Sequence, residues 1–529
     1  MPATSAIARR SFADSRARHL SFAVLFAIVA YANVVGYRST YPTLSERLVF
    51  AHAFGGNASV RLFYGTPFDL LTIGGYSAWR TGGMMSIFAG MWGLLAAVRA
   101  LRAEEDAGRQ ELVLAGAVSR HSAFAAVLAG CAAGAALLWL ALFTGLAGAG
   151  LPAGESAYLA LATASPAPVF VGVGALASQL APSRRVALEL SSAVLTLALL
   201  VRVIADTSSG LQWLRWATPL GWVEELRAFT GPRPAILLLP LAATTLMLLA
   251  AGAISVRRDV GSGLLRRREN ARTRLLGLSS PTALALRGER ASLAGWLVGS
   301  SFFALVIGLI STSVANAGIS NNLQRELQKL GAISITKPAG YIGLTFLFFI
   351  LIVSLFCCSQ LAAARHEEAE QRLETLFAHS VDRRRWLAGR LALATGGAVA
   401  IALAAGLLAW AGAAIQSAGV SLASMLEAAA NCLPVALLFL GFAALLFAVL
   451  PRAGSGIAYG LVATTFLWQL LGGLLGAPRW LLDVSPFQHV GLVPAQPLRA
   501  GPAGVMLALA ALTALAALWA FSRRDLVGQ

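Results

Sequence analysis

The segment RAEEDAGRQELVLAGAVSR (residues 102–120) follows a long apolar run, and a matching segment, RHEEAEQRLETLFAHSVDR (residues 365–383), follows a second one. The offset between the copies is 367 − 104 = 263 residues, without a gap. The identical positions are, in the first copy, Arg102, Glu104, Glu105, Arg109, Glu111, Ala115, Val118 and Arg120. The chain therefore contains two copies of one unit.

Composition places the chain in a membrane, because 57% of its residues are hydrophobic and only 12% are charged, about half the charged share of a soluble domain. A helix needs ~20 apolar residues to cross the hydrocarbon core. The sequence predicts an all-α polytopic membrane protein with twelve transmembrane helices, at 19–36, 82–100, 122–147, 156–178, 186–203, 236–254, 295–313, 341–363, 389–415, 430–450, 455–475 and 502–521.

Other landmarks recur in the same order in both copies. The matched pairs are Pro182 with Pro451, Thr218-Pro219 with Ser485-Pro486, and Arg257-Arg258-Asp259 with Arg523-Arg524-Asp525. Six spans per copy give both copies the same orientation, so two parallel six-helix halves are predicted. The predicted domains are 1–256, a basic linker at 257–294, and 295–529, with interfacial helices at 5–18 and 282–293 before the first and seventh spans.

Most basic residues lie on one side of the predicted spans, which is the cytoplasmic side by the positive-inside rule. The densest cluster is Arg257, Arg258, Arg266, Arg267, Arg268, Arg272 and Arg274. Both termini are therefore predicted to be cytoplasmic. The net charge of +17 is interpreted as topogenic charge near anionic headgroups, not as a nucleic-acid surface.

The repeated acidic segment predicts a helix that continues from the span before it. Glu105 with Arg109 and Glu368 with Arg372 are spaced as i, i+4 ion pairs, and the opposite face is apolar. Two interpretations are open: a solvated helix end, or a docking surface for a soluble partner. Duplication of the same charges on two cytoplasmic loops favours docking.

These motifs resemble a known family. Glu104-Glu105-(x)3-Arg109-x-Glu111 and Glu367-Glu368-(x)3-Arg372-x-Glu374 are similar to the cytoplasmic loops of ABC-2-type permeases in the family of actinobacterial polyketide antibiotic (tetronasin-like) exporters. The outer segments 218–224 and 485–490 resemble that family's paired outer motifs, through Pro219, Trp222, Glu224, Pro486 and His489. The first lies in a Trp-rich stretch expected to form a re-entrant hairpin. Gln371 and Asp382 depart from the pattern, which would have Gly and Ser there.

The resemblance implies two type V exporter-like halves in a bacterial cell membrane, which export hydrophobic or amphipathic compounds. It implies that the two acidic segments are coupling helices for two copies of a separate P-loop ABC ATPase, which binds the ATP and Mg²⁺. This chain has no Walker A motif, and its lysines, Lys329 and Lys337, fall in a predicted outside loop. It is therefore predicted to be a transport subunit without an enzymatic, cofactor or metal site of its own.

The resemblance also implies that the second and fifth spans of each half line a substrate cavity. The candidate residues are Met84, Phe88, Met91, Trp92, Tyr459, Phe466, Trp468 and Gln469. Flexible Met and flat aromatic side chains suit adaptable binding, although ordinary helix packing is the alternative for each. Glu189 and Arg202 are expected to snorkel to nearby interfaces.

The best rival is a proton-driven secondary drug transporter of the major facilitator type, which also has six plus six spans. The acidic amphipathic segment disfavours it, as does the expected lack of buried carboxylates in the spans. A membrane glycosyltransferase is weaker still, since the outer acids Glu46, Asp69 and Asp206 are scattered along the sequence.

Overall fold

A computed structural model describes residues 2–56, 60–61, 64–116, 118–208, 210–265, 280–316, 337–379, 381–471 and 478–526. The chain divides into unit 1, Met1–Ala271, and unit 2, Arg272–Gln529, and this boundary falls inside the predicted linker. Three predicted features lie outside the described residues: arginines 266–274 of the basic cluster, Lys329, and residues 472–475 of the eleventh span.

The helices of unit 1 begin and end close to the apolar runs of the sequence. In chain order they are α1 Pro2–Thr40, α2 Leu44–Gly55, α3 Ile73–Asp106, α4 Arg109–Leu114, α5 Arg120–Gly148, α6 Ala153–Ala164, α7 Pro166–Leu180, α8 Arg184–Thr207, α9 Pro219–Glu225 and α10 Leu238–Arg257. Helix α3 contains π-helical turns at Ala78–Gly82 and Arg99–Ala103. Short 3-10 turns at Gln212–Ala217 and Pro234–Leu237 precede α9 and α10.

The described residues of unit 2 repeat this order of elements, except that they include no counterpart of α2. Its helices are α11 Pro281–Asn316, α12 Pro338–Ala369, α13 Arg372–Ala378, α14 Arg383–Ile415, α15 Leu422–Asn431, α16 Leu433–Val449, α17 Gly454–Leu471, α18 Arg479–Leu482 and α19 Ala500–Arg523. A 3-10 turn at Pro486–His489 lies where unit 1 has α9.

Eleven helices in the described part of the chain are long and apolar enough to cross a membrane, and those residues form no β-strand. The protein is thus an all-helical, multi-pass membrane protein. Helix α17, the counterpart of the predicted eleventh span, is not among these eleven helices. It carries the polar residues Thr464, Thr465 and Gln469, which lower its hydropathy. The number of twelve spans therefore stays a prediction. Segments 5–18 and 282–293 form the first turns of α1 and α11, not the separate helices that were expected.

The two units pack their helices in the same pairs. In unit 1 the most extensive contacts join α1 with α5, α3 with α7, and α7 with α10. In unit 2 they join α11 with α14, α12 with α16, and α16 with α19. These are the first with the third, the second with the fourth, and the fourth with the sixth apolar segment of each copy. The two copies therefore share their helix packing as well as the sequence of the acidic segment.

The fourth apolar segment of each unit is broken, whereas the sequence predicts one continuous span at each place, 156–178 and 430–450. Helix α6 ends at Ala164 and α7 begins at Pro166, while α15 ends at Asn431 and α16 carries Pro434 in its first turn. Proline has no N–H to donate and its ring clashes with the preceding turn. The breaks therefore lie at the same place in both copies.

Helices α11 and α14 approach each other backbone to backbone at a pair of glycines. A Cβ on Gly308 would lie 2.2 Å from the Ala409 carbonyl oxygen, and one on Gly412 would lie 2.4 Å from the Leu305 carbonyl oxygen. Both atoms belong to backbone and cannot turn aside, so only glycine permits this crossing.

We expect Gly412→Ala to lower the free energy of unfolding by roughly 1–3 kcal/mol, because overpacking forces the two helices apart. The matched control is Gly396→Ala on the same helix, where a Cβ meets nothing within 4 Å; it should be neutral or stabilising. Thermal unfolding of the purified protein measures both. Equal effects of the two substitutions would contradict the packing described here.

Candidate coupling segments and outer ion cluster

The acidic segment of unit 1 consists of two helical pieces joined by a left-handed turn. Helix α3 ends at Asp106, Gly108 has φ +71°, and α4 then starts at Arg109. The Arg109 guanidinium donates to both oxygens of Glu104, at 2.6 and 2.7 Å. Leu112 is 77% exposed and Glu111 is exposed beside it. Helix α4 therefore presents one acidic and one large apolar side chain at its surface.

Unit 2 has the same turn with different pairing. Gln371 lies in the left-handed region with φ +61°, and α13 begins directly after it. The Arg372 guanidinium pairs with Glu370 at 2.6 Å, whereas Glu367 binds Arg390 on α14. Arg372 and Glu374 are exposed.

The expected i, i+4 pairs of Glu105 with Arg109 and of Glu368 with Arg372 are wrong. The left-handed turn ends the first helix before either arginine, so the helical spacing is lost. Glu105 and Glu368 instead turn into their own units, where they are 5% and 2% exposed.

Gln371 stands where unit 1 has Gly108, and a side chain in the left-handed region costs about 1–2 kcal/mol. We expect Gln371→Gly to raise the free energy of unfolding by up to about 1 kcal/mol, since glycine's greater freedom in the unfolded chain offsets part of the gain. Gly108→Gln is the reverse control, and a Cβ there meets nothing within 4 Å, so only backbone strain should act. Melting curves with the same sign for both variants would contradict this.

Glu105 is the centre of a buried ion network at the end of α3. Its carboxylate accepts two hydrogen bonds from the Arg258 guanidinium, at 2.7 and 2.5 Å, and one from the Gly261 N–H at 2.6 Å. Arg102 lies 3.4 Å from it and also donates to the Pro182 carbonyl at 2.8 Å. The network joins the end of α3 to the exit of α10.

Unit 2 contains the same network. Arg524 donates to both Glu368 oxygens, at 2.7 and 2.8 Å, and Arg365 lies 3.3 Å from that carboxylate. Arg120 donates to the Arg258 carbonyl at 2.8 Å, and its counterpart Arg383 donates to the Arg524 carbonyl at 2.5 Å. We refer to the two networks as the inner anchors. Their charged residues all belong to motifs that the sequence repeats, but the sequence does not predict the contact between those motifs.

The outer motifs of the two units also share one hydrogen bond, made by equivalent residues. Thr218 Oγ1 donates to the Ala198 carbonyl at 2.9 Å in unit 1, and Ser485 Oγ donates to the Thr465 carbonyl at 3.0 Å in unit 2. Donor and acceptor are shifted by the same 267 residues (485 − 218 and 465 − 198). The motif residue that precedes each proline therefore fixes the outer segment to the fifth apolar helix of its unit.

The remaining residues of the outer motifs have different roles in the two units. Pro219 begins α9 and Pro486 begins the 3-10 turn. Trp222 Nε1 donates to the Trp216 carbonyl at 2.6 Å, while His489 Nε2 lies 2.8 Å from the Asp483 carbonyl oxygen. The dip of the Trp-rich segment into the membrane stays a prediction.

Glu224 belongs to a buried outer ion cluster, which comprises Arg202, Asp206, Arg215, Glu224 and Glu225. The Arg215 Nε donates to Asp206 at 2.8 Å, and Arg202 Nε lies 3.3 Å from Glu224 and 3.5 Å from Asp206. Arg202 also donates to the Gly83 carbonyl at 2.9 Å. Burial raises the pKa of the Glu224 carboxyl well above its ordinary value, and the negative charge of Asp206 adds to this rise.

This cluster corrects three expectations. Arg202 does not snorkel, because its side chain is fully buried; Glu189 is exposed and pairs with Arg185 at 2.8 Å. Asp206 is not isolated from Glu224 and Glu225, since the turn after α8 brings them together. The apolar segments are also not free of buried carboxylates, because Asp206 lies in α8. At the 267-residue offset, the five positions of unit 2 hold neutral residues: Gln469, Gly473, Leu482, Gly491 and Leu492.

The candidate cavity residues of unit 1 lie along α3. Met84 and Phe88 pack against the core of the unit, and Met91 is half-buried. Trp92 is 2% exposed, with its ring 5.4 Å from that of His19. Trp92 therefore lies in the packed interior of the unit.

The candidate cavity residues of unit 2 lie along α17. Phe466 is buried, with its ring 5.3 Å from those of Phe348 and Phe487. Trp468 donates to the Leu481 carbonyl at 2.9 Å, and Tyr459 and Gln469 are half-buried. Substrate contact by these residues, and by those of unit 1, stays a prediction.

Comparisons with known proteins match nearly the whole chain. Residues 72–257 and 278–522 match the family model described as the C-terminal domain of the multidrug efflux system permease Rv1217c. The multidrug efflux system permease protein Rv1217c of Mycobacterium tuberculosis is 33% identical over 509 residues, which cover 94% of this chain and 90% of the relative.

Proposed function

Because the chain belongs to the family of the multidrug efflux permease Rv1217c, we propose that it is the permease subunit of an ATP-driven ABC exporter of hydrophobic and amphipathic compounds, antibiotics among them. Family membership makes the chain a membrane permease for drug export. In this proposal, units 1 and 2 are the two transmembrane halves of an ABC-2-type transporter, with twelve spans and both termini in the cytoplasm.

The observation that carries ATP coupling is the duplicated segment formed by α4 and α13. Each segment is exposed, follows a left-handed turn, and is held at its base by an inner anchor. We propose that each receives one copy of a separate P-loop ATPase, which holds the ATP and Mg²⁺. The relative is named as the permease of a multidrug efflux system, and a permease of such a system implies further components.

The inner anchors suggest how a push on α4 would reach the membrane. Charge-assisted, bidentate hydrogen bonds are short and directional, so the Glu105 carboxylate would move the end of α3 together with the exit of α10. Glu368 would do the same for α12 and α19. In the proposed cycle, closure of the two ATPases displaces α4 and α13, and the second and sixth apolar helices of each unit follow.

The test is to change the exposed surface without touching the anchors. In a chain co-expressed with the ATPase, we expect Leu112→Asp with Glu111→Lys to abolish co-purification and ATP-dependent efflux, and to leave folding within about 0.5 kcal/mol as a surface change. Glu374→Lys, on α13 of unit 2, should weaken both the co-purification with the ATPase and the ATP-dependent efflux. Glu189→Lys, an exposed acid on α8, is the matched control. Unchanged assembly and efflux in the α4 double variant would overturn the docking proposal.

A proton-driven facilitator is the second candidate, because Asp206 and Glu224 are buried acids in an apolar region. Both are ion-paired with Arg202 and Arg215, and arginine stays protonated. Protonation of the acids would leave buried positive charge without a partner. The ATP-driven exporter therefore remains the primary proposal.

A further inference from the structure

Unit 1 has a pocket at the end that is predicted to be cytoplasmic. It lies between the first turns of α1, the end of α3, α4 and the start of α5. Its lining includes the apolar side chains of Leu101, Phe124 and Val127 and the charged side chains of Arg10, Asp14, Arg99, Glu104 and Arg109. Residues of α4 also line it, so an occupant would lie directly against the proposed coupling segment.

The charges around this pocket leave one cation over. Arg109 pairs with Glu104 at 2.6 Å and Arg10 pairs with Asp14 at 3.6 Å. Arg99 also lines the pocket; no described carboxylate lies within salt-bridge distance of it, and Glu104, which is within its electrostatic range, is already paired with Arg109. Arg18 is within electrostatic range of Arg99 and adds positive potential. Three arginines and two acids line the pocket, and an apolar wall beside this net positive charge fits an amphipathic anion.

In unit 2, side chains of the protein itself fill the space that corresponds to the pocket of unit 1. At the 263-residue offset, Val127 is matched by Arg390 and Glu104 by Glu367. Arg390 is buried, binds Glu367 and lies 3.9 Å from Glu289. The guanidinium of unit 2 thus occupies, with internal partners, a place where unit 1 has only the short Val127 side chain.

Glu289 also has a counterpart in the wall of the pocket. A Cβ on Gly134 of α5 would meet His19 of α1, and a Cβ on the equivalent Gly397 of α14 would meet Leu293 of α11. Ser15 and Glu289 each lie four residues before these contacts. Ser15 lines the pocket of unit 1. Unit 1 therefore lacks two members of the unit 2 ion triad, and a pocket lies in their place.

We propose that this pocket binds an anionic phospholipid of the inner leaflet, with the phosphate on Arg99 and an acyl chain along Leu101, Phe124 and Val127. Guanidinium is the side-chain group that best matches phosphate geometry, and the cytoplasmic leaflet is rich in anionic lipids. The bound lipid would hold α4 against α1. The proposal depends on the membrane location of the chain and not on an ATPase partner.

The experiment measures thermal unfolding of the purified full-length protein in detergent, with added phosphatidylglycerol, phosphatidylcholine or inorganic phosphate. Phosphatidylglycerol should raise the melting temperature of the wild type, and the other two should not. Arg99→Gln should reduce that shift at least twofold, and the double variant Ser15→Glu, Val127→Arg, which installs the ion triad of unit 2, should abolish it. Arg185→Gln, an exposed arginine outside the pocket, should keep the full shift.

An equal shift in Arg99→Gln and Arg185→Gln would overturn the site. A wild-type shift produced by phosphatidylcholine or by inorganic phosphate alone would overturn the assignment to an anionic lipid. Because the double variant could fail to fold, Arg99→Gln decides the result, with native mass spectrometry of retained phosphatidylglycerol as its second readout. Unchanged lipid retention in Arg99→Gln would contradict the proposal.

Discussion

Glu105→Ala is expected to lower the free energy of unfolding by about 3–5 kcal/mol, the usual cost of removing one member of a buried ion pair. The substitution leaves Arg258, which is 9% exposed, without its carboxylate partner, and Arg102 keeps only its pair with Asp106 at 2.9 Å. It also removes the acceptor of the Gly261 N–H. Glu368→Ala should cost a similar amount in unit 2, where Arg365 and Arg524 lose the same partner.

The measurement is the melting temperature and the yield of monodisperse protein in detergent. Glu104→Ala is the matched control, because this neighbouring acid makes a partly exposed pair with Arg109 and such pairs contribute about 0–1 kcal/mol. If Glu105→Ala proved no more destabilising than Glu104→Ala, the inner anchors would not be structural, and the proposed route of force from α4 to α3 would fail with them.

Arg215→Met should cost a comparable 3–5 kcal/mol at neutral pH, because it leaves Asp206, Glu224 and Glu225 with Arg202 as their one remaining buried cation in the cluster. The loss should be smaller at acid pH. The pKa of Glu224 is already raised by burial, so protonation of this acid relieves the excess negative charge first.

Arg233→Met is the control for the outer ion cluster. Arg233 is 46% exposed and pairs with Glu225 at 3.3 Å, so its loss should change stability by less than about 1 kcal/mol. Unfolding is followed at pH 7.5 and pH 5.5. The prediction is wrong if Arg215→Met lowers the free energy of unfolding equally at both pH values, or by no more than Arg233→Met does. Either result would show that Arg215 does not balance the buried negative charge of the cluster.

The sequence predicted the features that depend on local pattern. Apolar run length locates the helices, and the repeat of Glu104, Glu105 and Arg109 reveals the duplication. It did not predict the inner anchors, because Glu105 and Arg258 are 153 residues apart and meet only through packing of the second, fourth and sixth helices. Gly108 was in the sequence as a turn signal, but the i, i+4 spacing of the charges around it favoured an unbroken helix.

The outer ion cluster was missed for a related reason. A lone arginine near a helix end, as Arg202 is in the sequence pattern, is expected to snorkel. The available signal was the i, i+4 spacing of Arg202 and Asp206 together with Glu224 and Glu225 after the turn. The neutral residues of unit 2 at the same positions sharpen that signal, because a charge set kept in only one copy is not required by the shared fold.

The most direct test of ATP-driven export is uptake of a lipophilic fluorescent dye into inverted membrane vesicles that contain this chain and its co-expressed ATPase. The proposal predicts uptake that requires ATP and the ATPase, persists when an ionophore collapses the proton gradient, and is lost in the Leu112→Asp, Glu111→Lys variant. Uptake by this chain alone that is driven by a proton gradient would contradict it and support the facilitator.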